Sequence, residues 1–204
     1  MDENSTTQVE EPFQFQFHPI PNFQIPFDLF VSKKRNGIGT RGFLRFTDSA
    51  GNLVYTVDKL SHKSHCRKRL LDSSGNALFS IIRLQKGSWQ GFKGNEEGNH
   101  LSFVVEKTVD EFTRTEFKIL FAAENTQDEL KTELQMKGCP FKRACTIYKE
   151  DSIVAETSLM NKLGIAKHFV PRSRFRVTIF PGFSDHSFVA SLVVIYFDGR
   201  KLWI

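Results

Sequence analysis

The sequence predicts an all-β domain: a closed antiparallel barrel around one hydrophobic helix. Three observations support this prediction: an unusual content of phenylalanine, a turn-centred strand unit that repeats, and one apolar segment near the C-terminus. Phenylalanine supplies 21 of the 204 residues, and aromatic side chains favour strands over helices. A chain of this length suits a single domain with a tail.

Residues 1–26 form the predicted tail, and residues 27–204 form the predicted domain. The tail is acidic and contains four prolines, each of which removes a backbone hydrogen-bond donor and so disfavours regular structure. Its alternating Phe13, Phe15 and Phe17 would suit a segment that docks on a partner protein.

Two copies of one turn motif lie 24 residues apart, Asp-Ser-Ala-Gly-Asn at 48–52 and Asp-Ser-Ser-Gly-Asn at 72–76. The aspartate accepts hydrogen bonds from backbone amides ahead of it, and glycine supplies the positive φ that the turn needs. Apolar strands on both sides make each unit a β-hairpin. A weaker third copy spans residues 147–155, where the turn lacks glycine.

Further strands are predicted from short alternating segments that turn signals separate. They cover residues 79–84, 88–93, 100–108, 115–121, 130–137, 141–148, 152–158 and 174–180. Many short strands at this spacing predict a sandwich or a barrel. Residues 158–168 fit either a helical turn or strands.

The segment 188–197 is apolar on every face, and Ser184 and Asp185 before it suit an N-cap and a first helical turn. It is shorter than the roughly 20 residues of a membrane-spanning helix. Periodicity alone also allows a buried strand. A helix that is apolar all round must be buried all round, and a closed barrel around the helix meets that need.

Charge is divided unevenly along the chain, whose net charge is +5. Residues 1–30 contain five acidic and no basic residues, so residues 31–204 carry +10. A basic body suggests an anionic partner such as a lipid headgroup, a nucleic acid or an acidic protein. The alternative is that the charge serves solubility alone.

Two basic features could bind phosphate. Five basic residues, beginning at Lys59 and ending at Arg69, lie in eleven residues that include no acidic one. Arginines 172, 174 and 176 share one face of a predicted strand, opposite Phe175 and Val177, and arginine grips phosphate through two parallel hydrogen bonds. The alternative is a solvent-facing barrel exterior. The candidate lipid-phosphate ligands are Lys63, Arg67, Lys68, Arg69, Arg172, Arg174 and Arg176.

Motifs of enzymes and cofactor sites are missing from the sequence, which contains no GxSxG, P-loop, GxGxxG or HExxH pattern. His62, His65 and Cys66 are disfavoured as zinc ligands, because Cys139 and Cys145 make a poor second pair. We therefore expect no catalytic residue, metal or cofactor. An odd cysteine count without a signal peptide predicts reduced thiols in the cytosol or nucleus.

The order of several motifs resembles the plant LURP-one-related family over residues 27–198. The matching residues are Lys33-Lys34, Gly42-Phe43, the run from Phe46 to Val57, Leu71 to Gly75, Trp89 to Phe92, Pro181-Gly182-Phe183 with Asp185, and Phe188 to Ile195. The resemblance implies a Tubby C-terminal-like fold, with twelve strands closed around a central helix. It also implies a superfamily, shared with phospholipid scramblases, of membrane-associated or membrane-tethered proteins. Some of its members are proposed transcription regulators, and members of the plant family are linked to pathogen defence. It implies no reaction and carries over no phosphoinositide site.

Two hypotheses follow for function. In the first, a basic barrel face binds anionic lipid, a phosphoinositide for example, and holds the protein peripherally at the plasma membrane. In the second, the chain is a protein-interaction scaffold that uses residues 1–26 as a docking segment. Nucleic-acid binding is disfavoured because no recognition motif is present. The oligomeric state stays open.

Overall fold

The computed structural model describes residues 25–34, 43–61, 66–84, 87–94, 101–122, 130–139, 144–160 and 174–198. These ranges contain twelve strands and one helix. They are β1 (Phe27–Lys34), β2 (Phe43–Thr47), β3 (Leu53–Ser61), β4 (Cys66–Asp72), β5 (Ala77–Arg83), β6 (Ser88–Lys93), β7 (Leu101–Asp110), β8 (Thr115–Ala122), β9 (Leu130–Cys139), β10 (Ala144–Lys149), β11 (Ser152–Leu159), β12 (Arg174–Ile179) and α1 (His186–Asp198).

The twelve strands close into one antiparallel barrel in which each strand pairs with its neighbours in sequence. Closure is made by β1, which pairs with β2 on one side and with β12 on the other. Phe30, for example, lies opposite Thr47 of β2 and Arg176 of β12. Among the described strands no edge is left unpaired, which removes the template for edge-to-edge association. The predicted barrel is therefore confirmed.

Side chains alternate between the barrel interior and its outer surface, as the period of a strand requires. Phe175 and Val177 are buried, whereas Arg174 and Arg176 between and beside them are exposed. Inside the barrel lies α1, in which every residue from Phe188 to Phe197 is buried. The all-round apolarity of this segment thus reflects burial on all sides, and the central helix is confirmed.

Aromatic rings fill both ends of the space around α1. Near the helix start, the ring of Phe188 packs edge-on against Phe103 at 5.0 Å and against Phe79 at 6.3 Å between centroids. Near the helix end, Phe197 packs on Phe175 at 4.6 Å. Such offset and edge-on ring pairs add to the stabilisation from burial itself. Seven of the phenylalanines in the described residues are therefore part of the barrel interior.

The two repeated turns have the same hydrogen-bond pattern. The amide nitrogen of Asn52 donates to Oδ1 of Asp48 at 2.8 Å, and Asn76 donates to Asp72 at the same distance. The asparagine side chains donate to the other carboxylate oxygens. Gly51 and Gly75 hold φ values of 88° and 90°, which side chains disfavour. In the third copy Glu150 takes the positive φ, 52°.

Helix α1 begins one residue later than an N-cap at Ser184 would require. Asp185 is the cap, because its Oδ1 accepts hydrogen bonds from the Phe188 amide at 2.9 Å and from the Ser187 hydroxyl at 2.6 Å. Within 158–168, β11 extends to Leu159 and the structure describes the chain to Met160. The rest of that segment lies outside the described residues, as does the tail before Ile25.

The barrel has two ends, which we distinguish by the direction of α1. At the entry end α1 begins, and there β2 connects to β3, β4 to β5, β6 to β7, β8 to β9 and β10 to β11. At the exit end α1 ends at Asp198, and there lie the strand ends that the other six connections join. Because consecutive strands are antiparallel, successive connections alternate between the two ends.

Candidate functional site

Strand β4 separates the basic residues that the sequence clusters together. Leu70 is fully buried, so Lys68, two residues earlier, also points inward, opposite Ile81 of β5. Arg67 and Arg69 point outward because the side-chain direction alternates. The predicted cluster is thus divided between two surfaces. Lys63 lies outside the described residues.

Lys68 is engaged by the end of the central helix. Its Nζ donates to Oδ1 of Asp198 at 2.5 Å, and the Trp89 Nε1 donates to Oδ2 at 3.2 Å. The guanidinium of Arg83 lies 4.0 Å from the same carboxylate. Burial by itself raises the pKa of Asp198, but Lys68, the Trp89 hydrogen bond and the charge of Arg83 outweigh it and hold that pKa below its ordinary value. Lys68 therefore anchors α1 and is not open to a lipid phosphate.

Two more of the predicted ligands are paired with aspartates on the outer surface. Arg69 donates to Asp58 at 2.6 Å. Arg176 grips Asp28 through two bonds of 2.9 and 2.6 Å. Burial alone would raise the pKa of Asp28, but hydrogen bonds from Arg176 and Thr178 lower it overall. Both guanidinium groups already hold a carboxylate, which leaves them less available to an anion.

Arg174 differs from these residues because it is exposed and has no acidic partner within the described ranges. It lies opposite Ser32 of β1, and Ser32 lies opposite Arg45 of β2 on its other side. Arg45 also points outward, since Phe46 beside it is fully buried. The three side chains therefore form one row across β12, β1 and β2, which we call the arginine row. Arg172 lies outside the described residues.

Arg45 was missed by sequence reasoning. The alternation in Phe43-Leu44-Arg45-Phe46 could have indicated that it faces outward. Its proximity to Arg174 depends on the pairing of β1 with both β2 and β12, which joins residues 129 positions apart in the numbering. Local patterns carry no information about that closure.

The described part of the chain contains neither a membrane-spanning helix nor a cluster of metal-binding side chains. Its helix is too short to cross a bilayer. No group of three or more histidine, cysteine or acidic side chains comes together there as a metal site.

A model of the LURP-one-related family matches residues 27–198, which include all twelve strands and the helix. The chain belongs to the LURP-one-related family. The resemblance drawn from the motifs is thereby confirmed, and so is the Tubby C-terminal-like architecture that it implied.

Relatives of this LURP-one-related domain occur in Arabidopsis thaliana. Protein LURP-one-related 7 is 46% identical over 186 residues, covering 90% of this chain and 96% of that protein. Protein LURP-one-related 15 is 27% identical over 180 residues, covering 86% and 81%. An X-ray structure of an Arabidopsis thaliana protein superposes with a TM-score of 0.60 at 25% identity, covering 85% of this chain and 91% of that one. The names of these relatives state no reaction, ligand or partner.

Proposed function

We propose that this LURP-one-related domain is a non-enzymatic module that binds anionic membranes through the exit end of its barrel. The observation that supports this proposal is the difference in charge between the connections at the two ends of the barrel. By sequence, the exit-end connections contain ten basic residues and one acidic residue, Glu111. The basic residues are Arg35, Arg41, Lys63, Lys86, Arg114, Lys142, Arg143, Lys162, Lys167 and Arg172. Of these, Arg114 is paired with Glu116 of β8 at 2.6 Å, so nine remain on the basic side of the count.

The connections at the entry end have the opposite composition. Between strands, and between β12 and α1, they contain nine acidic residues and no lysine or arginine. The acidic residues are Asp48, Glu96, Glu97, Glu124, Asp128, Glu129, Glu150, Asp151 and Asp185. The acidic tail also precedes the entry-end start of β1. The net charge of the body is therefore a sum over two ends of opposite sign.

Separation along the axis allows the basic end to act alone. A strand of eight residues, such as β1, spans about 26 Å, and a tilt of about 40° leaves about 20 Å along the barrel axis. The Debye length at physiological ionic strength is about 8 Å. A membrane that approaches the exit end is thus screened from most of the entry-end charge.

Charge attraction of this kind gives weak binding. Each lysine or arginine near an anionic surface contributes about 1 kcal/mol, so five such residues supply about 5 kcal/mol. That free energy corresponds to a dissociation constant of about 0.2 mM. The proposal therefore predicts reversible binding that is sensitive to salt, unless a specific headgroup contact adds to it.

The test is co-sedimentation of the full chain with phosphatidylcholine vesicles that contain or lack phosphatidylserine, at low and high salt. Lys59 and Arg174 are exposed near the exit end, and Lys93 and Lys149 are exposed at the entry end. We expect K59E/R174E to weaken binding to phosphatidylserine vesicles at least about tenfold. The matched K93E/K149E variant, with the same change in net charge, should lose less than about threefold.

Equal losses in the two variants would mean that net charge, and not the exit end, drives binding. If the wild-type chain binds no anionic vesicle even at low salt, the membrane hypothesis fails. The alternative function, a protein-interaction scaffold that docks through residues 1–26, would then take its place. Deletion of residues 1–26, which end just before β1, separates the two, because it should spare lipid binding but abolish docking through the tail.

A further inference from the structure

The arginine row has the chemistry of a site for a phosphate group. We propose that Arg45, Ser32 and Arg174 bind a phosphate monoester, as on a phosphorylated headgroup, on the flank of the exit end. This inference rests on the proposed membrane function and assigns to it a specific ligand class. Two arginines and a hydroxyl donate hydrogen bonds, which phosphate oxygens accept.

Spacing in the row suits a ligand held from two sides. Residues directly opposite on antiparallel strands have Cβ atoms about 5 Å apart, so those of Arg45 and Arg174 are about 10 Å apart across Ser32. An extended arginine side chain spans more than half of that distance. Both guanidinium groups can therefore reach one anion above the Ser32 hydroxyl, whose side chain forms the middle of the row.

Neighbouring acidic residues leave the row unneutralised. The carboxylate of Asp28 on β1 is held by Arg176 at 2.6 Å, and that of Asp58 on β3 is held by Arg69 at 2.6 Å. Within the described residues, neither Arg45 nor Arg174 has an ion pair with a carboxylate. The row therefore keeps two positive charges on a surface where the nearby arginines are paired.

The position of the row also fits a ligand that projects from a membrane. Arg174 is the first residue of β12 at the exit end, and Ser32 is two residues from the end of β1. One residue of strand advances by about 3.3 Å. The row thus lies close to the end that we propose to face the bilayer, on the side of the barrel, where a headgroup phosphate can reach it.

The test compares R45Q/R174Q with K59Q/R67Q, which removes the same charge near the exit end but outside the row. The probes are phosphatidylcholine vesicles that carry phosphatidylinositol 4-phosphate, vesicles of equal charge that carry phosphatidylserine, and soluble inositol 1,4-bisphosphate. We expect R45Q/R174Q to weaken binding to the phosphoinositide vesicles by roughly ten- to a hundredfold, since charge-assisted hydrogen bonds are lost. Both variants should lose the same few-fold on phosphatidylserine. Ser32→Ala should give a smaller loss that is confined to the phosphoinositide.

Equal losses for the two double variants on both vesicle types would overturn the site while leaving the membrane function intact. If the wild-type chain binds neither vesicle, the membrane function fails, and titration with inositol 1,4-bisphosphate decides the site. Binding that R45Q/R174Q abolishes would support a site for a soluble phosphate monoester, and absence of binding would overturn it. Thermal melting of each variant, expected within a few degrees of wild type for surface changes, checks the fold.

Discussion

At the scale of single residues, Asp198 is the clearest case of a charge that the barrel needs. It ends the central helix and accepts hydrogen bonds from Lys68 and Trp89, which lie on β4 and β6. The side chains of Asp198 and Lys68 are 15% and 18% exposed, so the pair is largely removed from water. Removing one partner of such a pair leaves the other buried and uncompensated. The pair thus fixes the end of α1 to the wall.

We expect Asp198→Asn to lower the free energy of unfolding at pH 7 by about 2–4 kcal/mol. The folded-state pKa of Asp198 lies below its ordinary value of 3.8. Its stabilisation is therefore fully present well above pH 3.8 and is lost as the pH falls through the lower folded-state pKa. Denaturant unfolding of both proteins at neutral and acid pH should show the difference shrinking with acidity. A constant difference would show that the carboxylate charge is irrelevant.

The sequence predicted whether a basic side chain of a strand points into the barrel or outward. It did not predict which carboxylate pairs with that side chain. Alternation alone indicates that Arg174 and Arg176 point away from Phe175 and Val177. The aspartate that holds Arg176 lies 148 positions earlier, and the one that holds Lys68 lies 130 positions later. Such pairs arise only when the barrel closes and the helix enters it. Sequence reasoning could therefore name Lys68, Arg69 and Arg176 as candidate phosphate ligands but could not show that each has a carboxylate partner.

At the scale of elements, α1 is the part of the fold that the sequence predicted most directly. A segment apolar on every face has to be buried on every face, and the barrel interior is where it lies. Pattern alone left a buried strand open, because a short apolar run suits both. Asp185 resolves that ambiguity physically. Its carboxylate accepts the amide of Phe188, one of the donors that a helix start leaves unpaired.

The helix provides a direct test of the closed barrel. Val193 is fully buried within α1, so Val193→Asp places an unpaired charge where water cannot reach it. We expect this variant to yield no folded protein. The matched Val193→Ala variant should fold with a loss of about 2 kcal/mol, the cost of a small cavity. Circular dichroism and thermal melting distinguish the two. A Val193→Asp protein that melts like wild type would contradict a central helix.

The three hairpin turns differ in how clearly the sequence predicts them. Two copies carry glycine at the position of positive φ, and the sequence signal was therefore strong. In the third copy Glu150 has a φ of 52°, in a two-residue connection without glycine between the paired strands β10 and β11. Local turn chemistry was weak there, but strand pairing still formed the hairpin. The alternation of apolar residues, not the turn, carries that part of the fold.

At the scale of the whole molecule, the strand topology assigns basic and acidic connections to opposite ends of the barrel. Successive connections of an up-and-down barrel alternate between its ends. Here five of the six odd connections are net basic and five of the six even ones, counting that between β12 and α1, are net acidic; the fourth has no charged residue, and in the seventh Glu111 offsets Arg114. That alternation was visible along the chain once the strands were known. The net charge alone could not reveal this alternation, because a total charge contains no information about where along the chain the charged residues lie.

Charge separation predicts a fixed orientation on an anionic membrane. Ser49 and Thr113 are exposed, Ser49 in a connection at the entry end and Thr113 in one at the exit end. Ser49→Cys and Thr113→Cys would each be labelled with a fluorescent dye. In both variants Cys66 and Cys139 are replaced by serine, and Cys145 is kept because it is buried. Vesicles with phosphatidylserine and nitroxide-labelled lipid should quench the dye at residue 113 far more than the dye at residue 49. The reason is the axial separation of about 20 Å between the ends. High salt should reduce the quenching at both positions, since screening weakens the attraction between the chain and the vesicle. Equal quenching at the two positions would mean that the barrel binds without a preferred end.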